Sequence, residues 1–217
     1  MIIAEIGINH LGNINTLKKY ILFLNKLKIE GITIQILSKS FFKGKIKKFY
    51  IKRDILFKTI VRYSKKKIGI VTDKYDKLLI KNLKHIDFIK VLGSQIHNQN
   101  ILKRLKIVKK PIFFSNRGLN KKKEKELIDL VKKKDNFYIV HTQLKTQKKF
   151  TNLKNLNFLK KKLKNKVCFG SHCDDSRVII HSLKYKPKKI FFYIKDDKDM
   201  NYPDYSYAIP LSNLRKL

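Results

Sequence analysis

The chain has 217 residues, 43% of them hydrophobic, and a formal net charge of +36. This composition can bury one core, which excludes wholesale disorder, and no run of about 18 apolar residues could cross a bilayer. The N-terminal residues lack the basic region and apolar stretch of a signal peptide, so we expect a cytoplasmic protein with no membrane partner.

Short apolar runs rich in Ile, Val and Phe alternate with longer, lysine-rich amphipathic segments. Most of these runs are apolar on both faces, which is typical of parallel strands covered by helices. The eight predicted strands are Ile2–Ile8, Ile32–Leu37, Ile68–Thr72, Phe88–Gly93, Pro111–Ser115, Phe137–His141, Val167–Ser171 and Ile190–Lys195.

Between the strands, apolar residues recur at helical spacing. The first helix is predicted behind the cap candidates Asn13 and Asn15, and a later one runs from Asn120. The basic stretch 43–52 is predicted to be a loop. The tail from residue 196 contains the turn formers Asn201-Tyr202-Pro203-Asp204 and then a short terminal helix.

Eight strands alternating with helices predict an α/β fold, a shortened single-domain (β/α)8 TIM barrel over residues 1–217. A doubly wound open sheet is the alternative, because hydrophobic periodicity cannot detect closure of a sheet. No linker or low-complexity tract indicates a second domain.

The excess of positive charge is made almost entirely of lysine, since only six of the 52 basic residues are arginine. Proteins that read nucleic acid sequence rely on Arg for bidentate contacts and stacking, whereas these lysines are scattered over the whole chain. We therefore expect no specific nucleic-acid partner. Non-specific attraction to anions is expected, and salt should screen it.

In TIM barrels, function gathers at the carboxyl ends of the strands. The polar residues predicted there are Glu5, Asn9, His10, Ser38, Lys39, Asp73, Lys90, Ser94, Gln95, Ser115, Asn116, Arg117, His141, Thr142, Ser171, His172, Asp174 and Lys195. Glu5 and Lys90 differ from the others because they lie inside apolar strands, where a charge is costly unless it is paired or faces a site. We predict that both line one pocket.

Histidine and cysteine offer weaker signals. His141 and His172 follow two successive strands, so they either share a metal or phosphate site or have separate structural roles. Cys168 and Cys173 lack companions at zinc-site spacing and are expected to be reduced thiols. Dinucleotide-binding, P-loop and nucleophile-elbow motifs do not occur in the sequence.

The string Ile3-Ala4-Glu5-Ile6-Gly7-Ile8-Asn9-His10, followed by Gly12-Asn13, resembles the opening signature of the sialic acid synthase family. Members of that family condense phosphoenolpyruvate with an N-acetylated sugar such as N-acetylmannosamine, on a (β/α)8 barrel that uses a divalent metal. Further strings resemble the family's motifs in the same order, namely 87–91, 110–115, 137–141, 170–172 and Pro203-Asp204.

The resemblance implies catalytic roles for Glu5 and Lys90. It implies a divalent metal, Mn²⁺ or Mg²⁺, at His172, and phosphoenolpyruvate and an amino sugar as substrates. Substrate contacts are implied for Asn9, His10, Ser94, Gln95, Ser115, His141 and Asp204.

Several positions depart from the family's pattern. The second metal-binding His aligns with Tyr193, the second-strand Lys is missing at Ile36, and an acidic residue is replaced by Gln95. Gln143-Leu144-Lys145-Thr146 replaces a sugar-binding loop, and we expect no C-terminal antifreeze-like domain. Two hypotheses follow. The chain is a divergent synthase of surface-carbohydrate biosynthesis, or a degenerate barrel that binds a sugar phosphate or a partner enzyme without turnover.

Overall fold

The apolar runs form a closed barrel in a computed structural model, which describes residues 2–142, 152–198 and 203–214. Each of eight parallel strands pairs with the next in sequence, and the eighth pairs with the first. The strands are β1 (Ile2–Gly7), β2 (Gly31–Gln35), β3 (Lys67–Val71), β4 (Phe88–Val91), β5 (Ile112–Ser115), β6 (Phe137–Thr142), β7 (Val167–Ser171) and β8 (Ile190–Lys195). The predicted TIM barrel is confirmed, and the open sheet is wrong.

Helices separate the strands and cover the outside of the barrel. They are α1 (Ile14–Asn25), α2 (Arg53–Tyr63), α3 (Lys77–Asn82), α4 (Gln99–Leu105), α5 (Lys121–Lys132), α6 (Lys154–Leu163) and α7 (Arg177–Leu183), and a two-residue strand β9 (Ile209–Pro210) and the short helix α8 (Leu211–Leu214) follow β8. In the part of the chain that is described, no helix is long and apolar enough to cross a membrane.

Side-chain caps fix where two helices begin. The side chain of Asn13 accepts hydrogen bonds from the backbone N–H groups of Asn15 and Thr16, and Asn120 accepts one from Lys123. Both caps satisfy N–H groups that the first helical turn leaves unpaired. Asn13 rather than Asn15 is therefore the cap of α1.

Two predicted connections differ from the structure or lie partly outside it. The stretch 43–52 was predicted as a loop, but Gly44–Phe49 forms a 3₁₀ helix before α2 begins. In the predicted turn 201–204, the residues Asn201 and Tyr202 lie outside the described residues. The short terminal helix is confirmed as α8.

The barrel interior is filled in layers, because alternate residues of each strand point inward. The lower layer consists of Ile3, Phe88, Phe113, Val140, Cys168 and Phe191, all buried. The rings of Phe113 and Phe191 lie 5.3 Å apart, edge to face. Two residues further along β1, β4 and β8 come Glu5, Lys90 and Tyr193. The polar layer therefore lies directly on an aromatic one, at the carboxyl ends.

Candidate functional site

The two charged residues predicted inside apolar strands are each other's partner. The Lys90 ammonium donates to both carboxylate oxygens of Glu5, at 2.5 and 2.7 Å. The Thr33 hydroxyl donates to the same carboxylate at 3.3 Å. Glu5 is 1% exposed and Lys90 2% exposed. This pairing satisfies the requirement that charges in a barrel interior be compensated.

A cavity of about 250 Å³ lies at the carboxyl ends of β4, β5, β7 and β8. It is lined by Lys90, Leu92, Gly93, Ser94, Ser115, Arg117, His172 and Tyr193. Sites for drug-sized ligands usually measure about 300–1,000 Å³, so this one suits a smaller molecule. Ammonium, guanidinium and hydroxyl groups make the lining suitable for an anion.

Tight packing between two turns holds one wall of this cavity. A Cβ atom on Gly93 would come within 2.3 Å of the Arg117 carbonyl oxygen, so only glycine fits there. The backbone N–H of Arg117 donates to the Ser115 hydroxyl at 3.3 Å. The turn after β4 therefore packs directly on the turn after β5, and this packing fixes the backbone position of Arg117.

On the side of β7 and β8, a wall of three aromatic rings borders the cavity, where His172 and Tyr193 belong to the lining and Tyr207 contacts both. His172 stacks on Tyr207 with ring centroids 4.3 Å apart, and Tyr193 meets both rings edge-on at 5.4 Å. Gln35 donates to the Tyr193 hydroxyl at 3.3 Å, and the Tyr207 hydroxyl donates to Asp204. This wall joins β8 and β7 to the segment that follows β8.

Burial keeps the rings of this wall uncharged. Burial, reinforced by the charges of Glu5 and Asp204, raises the pKa of Tyr193 well above its usual value. Burial, followed by the charges of Arg117 and Lys90, lowers the pKa of His172 well below its usual value. At neutral pH, a phenol and a neutral imidazole therefore face each other.

The residues around His172 do not fit a divalent metal. Within the described ranges, no group of three His, Cys, Asp or Glu side chains lies close enough together to hold an ion. The raised pKa of Tyr193, which the family resemblance aligns with a His ligand, disfavours the phenolate that would bind a metal. His172 offers one buried nitrogen without a partner, Nδ1, beside a ring that is stacked on Tyr207.

Asn9 and Asp204 join the end of β1 to the segment after β8. The Asn9 side chain donates to the Ile194 carbonyl at 2.7 Å and accepts from the Asp204 backbone N–H at 3.3 Å. The Asp204 carboxyl lies against Gly7, beside Tyr193. Burial raises the pKa of Asp204, and the hydrogen bond from Tyr207 opposes that rise. Both residues border the cavity wall without lining the cavity itself.

The other predicted substrate-binding residues divide into two groups. Ser94 and Ser115 line the cavity, whereas Gln95, His10 and His141 do not. His10 Nδ1 accepts from the Gly12 backbone N–H at 3.1 Å, and burial lowers its pKa to about 4.

The structure does not bring His141 and His172 to one site. Because Val140 points into the barrel, the next residue, His141, points outward. Its Nδ1 lies 3.3 Å from the Asn116 amide, and its Nε2 lies 3.1 Å from the Asn152 carbonyl oxygen. Residues 143–146, which stand in place of the family's sugar-binding loop after β6, lie outside the described part of the chain.

Sequence reasoning gave no role to two residues that shape the site, Arg117 and Tyr207. The sequence placed Arg117 at the strand ends without a role. Arginine is rare in this lysine-rich chain, so an arginine at a strand end was a signal that could have singled it out. Tyr207 lies in the short 3₁₀ helix 205–207, which has no periodicity that would have singled it out.

Comparison with known proteins agrees with this architecture. The N-acetylneuraminic acid (sialic acid) synthetase of Leptospira borgpetersenii serovar Hardjo-bovis, solved with citrate, is similar with a TM-score of 0.86 and 18% identity, over 99% of this chain and 80% of that one. The spore coat polysaccharide biosynthesis protein SpsE of Bacillus subtilis gives 0.82 and 17%, over 100% and 65%. A truncated 3-deoxy-D-arabino-heptulosonate 7-phosphate synthase of Thermotoga maritima gives 0.69 and 14%, over 100% and 82%.

At such identities, these likenesses establish the shared fold alone. No curated protein matches the sequence. The NeuB family model, by contrast, matches residues 37–217, which is most of the chain. The chain therefore belongs to the NeuB family.

Proposed function

We propose that this chain binds phosphoenolpyruvate, or a phosphorylated acid of similar size, and condenses it with an N-acetylated sugar in surface-carbohydrate biosynthesis. Membership of the NeuB family supports the reaction class. The observation that carries the proposal is the buried Glu5–Lys90 pair beneath a small cavity lined by Ser94 and Ser115.

The cavity supplies what a small phosphorylated acid needs. Hydroxyl groups of Ser94 and Ser115 donate to phosphate or carboxylate oxygens, and the Arg117 guanidinium balances part of their charge. Lys90 and Ser115 are buried, and fixed donors in a buried position bind an anion more strongly than donors at the surface.

Glu5 is the acid/base group of this proposal. Condensation joins C3 of phosphoenolpyruvate to the sugar carbonyl carbon, whose oxygen takes up a proton. Water adds at C2 and loses a proton, and the bond between C2 and the phosphate oxygen then breaks, which releases inorganic phosphate and leaves a keto group. Glu5 and Lys90 share their hydrogen bonds within the same buried pair, so a proton can be held or passed on at the Glu5 carboxylate.

A second candidate function is anion binding without turnover. The observation that favours it is the ring wall, in which Tyr193 replaces a His and the ring of His172 is stacked on Tyr207. Such a protein would hold a sugar phosphate or act as a subunit of a partner enzyme. It would keep the cavity and lose the condensation step.

The experiment combines ligand-dependent melting with a product assay. A ligand that binds only the folded state raises the melting temperature, so phosphoenolpyruvate at 100 times its Kd should add about 2.7 kcal/mol of stability. Product is then sought with N-acetylmannosamine, in Mn²⁺ and separately in EDTA. Stabilisation with product supports the synthase, and stabilisation without product supports the second candidate. If neither phosphoenolpyruvate nor inorganic phosphate raises the melting temperature, both candidate functions are overturned.

A further inference from the structure

The charge of Lys90 is already balanced before any ligand enters the cavity. Its ammonium contacts both Glu5 oxygens at 2.5 and 2.7 Å, and both side chains are almost fully buried. At this separation, the field of the pair at a ligand a few ångströms away is that of a dipole rather than of a cation. The lysine that the family resemblance assigns to the anion therefore contributes less net positive charge to the resting cavity than an unpaired lysine would.

Arg117 is the second cation of the cavity lining, and its situation differs. It is half-buried at the rim, and within the described ranges it forms no ion pair with a carboxylate. Together with the charge of Lys90, its charge adds to burial in lowering the pKa of His172 and opposes the burial-driven rise at Asp204. The positive charge of Arg117 is therefore felt inside the cavity without being matched by one counter-ion.

The position of this guanidinium is fixed by its surroundings. Its central carbon lies 5.8 Å from the centroid of the Tyr207 ring, which stacks in turn on His172. Its backbone is held by the Ser115 hydroxyl and by the contact with Gly93. A cation over an aromatic face is attracted to it, and a pre-positioned side chain loses less entropy when a ligand binds.

We propose that Arg117, rather than Lys90, makes the larger contribution to the anion affinity of this cavity, and that it binds a phosphate group by a two-pronged contact. Its planar fork matches two oxygens of a phosphate or carboxylate, whereas the Glu5–Lys90 pair forms a neutral polar floor. The choice of phosphoenolpyruvate as the ligand rests on the proposed function. The role of Arg117 towards a phosphate group does not.

The test is a set of calorimetric titrations with phosphoenolpyruvate and, separately, with inorganic phosphate. Arg117→Gln should weaken binding of both about 10- to 100-fold, as expected for loss of a charge-assisted contact, and Arg117→Lys should recover part of the loss. Glu5→Gln/Lys90→Met removes the floor as a neutral pair and should weaken binding less than Arg117→Gln. Arg62→Gln is the matched control, because it removes one charge from an exposed Arg in the last turn of α2.

The results separate this inference from the proposed function. Phosphoenolpyruvate binding that is unchanged in Arg117→Gln would overturn the role of Arg117 and leave the proposed function standing. Binding of phosphate that depends on Arg117, with no binding of phosphoenolpyruvate, would support that role and overturn the proposed function. If the wild-type protein binds neither compound, the role of Arg117 and the proposed function are both overturned.

Discussion

The Lys90 ammonium reaches from β4 to β1 and donates to both oxygens of the Glu5 carboxylate, at 2.5 and 2.7 Å. A buried ion pair is costly to desolvate, and a well-packed apolar pair in its place is often as stable. Stability alone therefore does not explain a charged pair directly above the Phe191 ring, which lies 5.0 Å from Lys90 Nζ. The proposed role in binding or proton transfer would explain it.

The coupling between Glu5 and Lys90 is measurable by a double-mutant cycle. Lys90→Met and Glu5→Gln should each lower the free energy of unfolding by about 3–5 kcal/mol, because each leaves one buried charge without its partner. The double variant should lose less free energy of unfolding than the sum of the two single losses. The difference should be about 1 kcal/mol or more, as is common for residues in direct contact. Urea denaturation supplies the values.

A surface pair is the control for that cycle. Lys19 is paired with Asp196, but its side chain is 54% exposed, so Lys19→Met should cost about 1 kcal/mol or less. Additive losses at Glu5 and Lys90, or a cost there as small as at Lys19, would contradict a tightly coupled buried pair.

Gly7 positions the cavity wall through close packing. It has a φ of +58°, and a Cβ atom there would lie 2.8 Å from the Tyr193 ring and 2.9 Å from the Asp204 carboxyl. Gly44 has a similar φ of +54° but nothing within 4 Å of its Cβ position. Gly44→Ala should cost about 1–2 kcal/mol, the backbone penalty alone. Gly7→Ala should cost more in thermal unfolding, and equal losses would show that the packing against Tyr193 is unimportant.

His10 should make stability depend on pH. Burial lowers its pKa from 6.5 to about 4, so the unfolded chain takes up a proton before the folded one does. The free energy of unfolding therefore falls as the pH drops from about 6.5 towards about 4, by up to about 3 kcal/mol from this residue. His10→Gln should lose that part of the pH dependence. Parallel stability curves for the wild type and the variant would contradict the assignment.

Mn²⁺ should leave the melting temperature of the wild-type protein unchanged, because Tyr193 and its neighbours do not form a set of metal ligands. Tyr193→His would place a second imidazole beside His172, whose ring lies 5.4 Å from the Tyr193 ring. That variant should be stabilised by Mn²⁺, and EDTA should reverse the effect. Stabilisation of the wild type by Mn²⁺ at equal concentration would show that the ring wall admits a metal.

Local signals were enough to predict much of the fold. The bounds of Val167–Ser171 and Ile190–Lys195 match those predicted, because a lysine-rich segment precedes each apolar run and polar residues follow it. Asn120 was identified as a helix start because a short polar side chain before a helix can cap it.

Contacts between residues far apart in the sequence could not be predicted from such local patterns. Parallel strands that are apolar on both faces do not reveal which residues point inward. The sequence therefore left open whether His141 shares a site with His172, whereas the structure turns it outward towards Asn152. The stacking of Tyr207 on His172 joins residues 35 positions apart and has no local pattern. The charge balance between Glu5 and Lys90 became evident only from their distance, and it shifts attention from Lys90 to Arg117.

A crystal structure with bound phosphoenolpyruvate would test the central claim most directly. The account predicts one molecule in the cavity, with its phosphate within hydrogen-bonding distance of Arg117 and Ser115. Density only in the basic groove along Gly44–Phe49, or an empty cavity at saturating ligand, would contradict it.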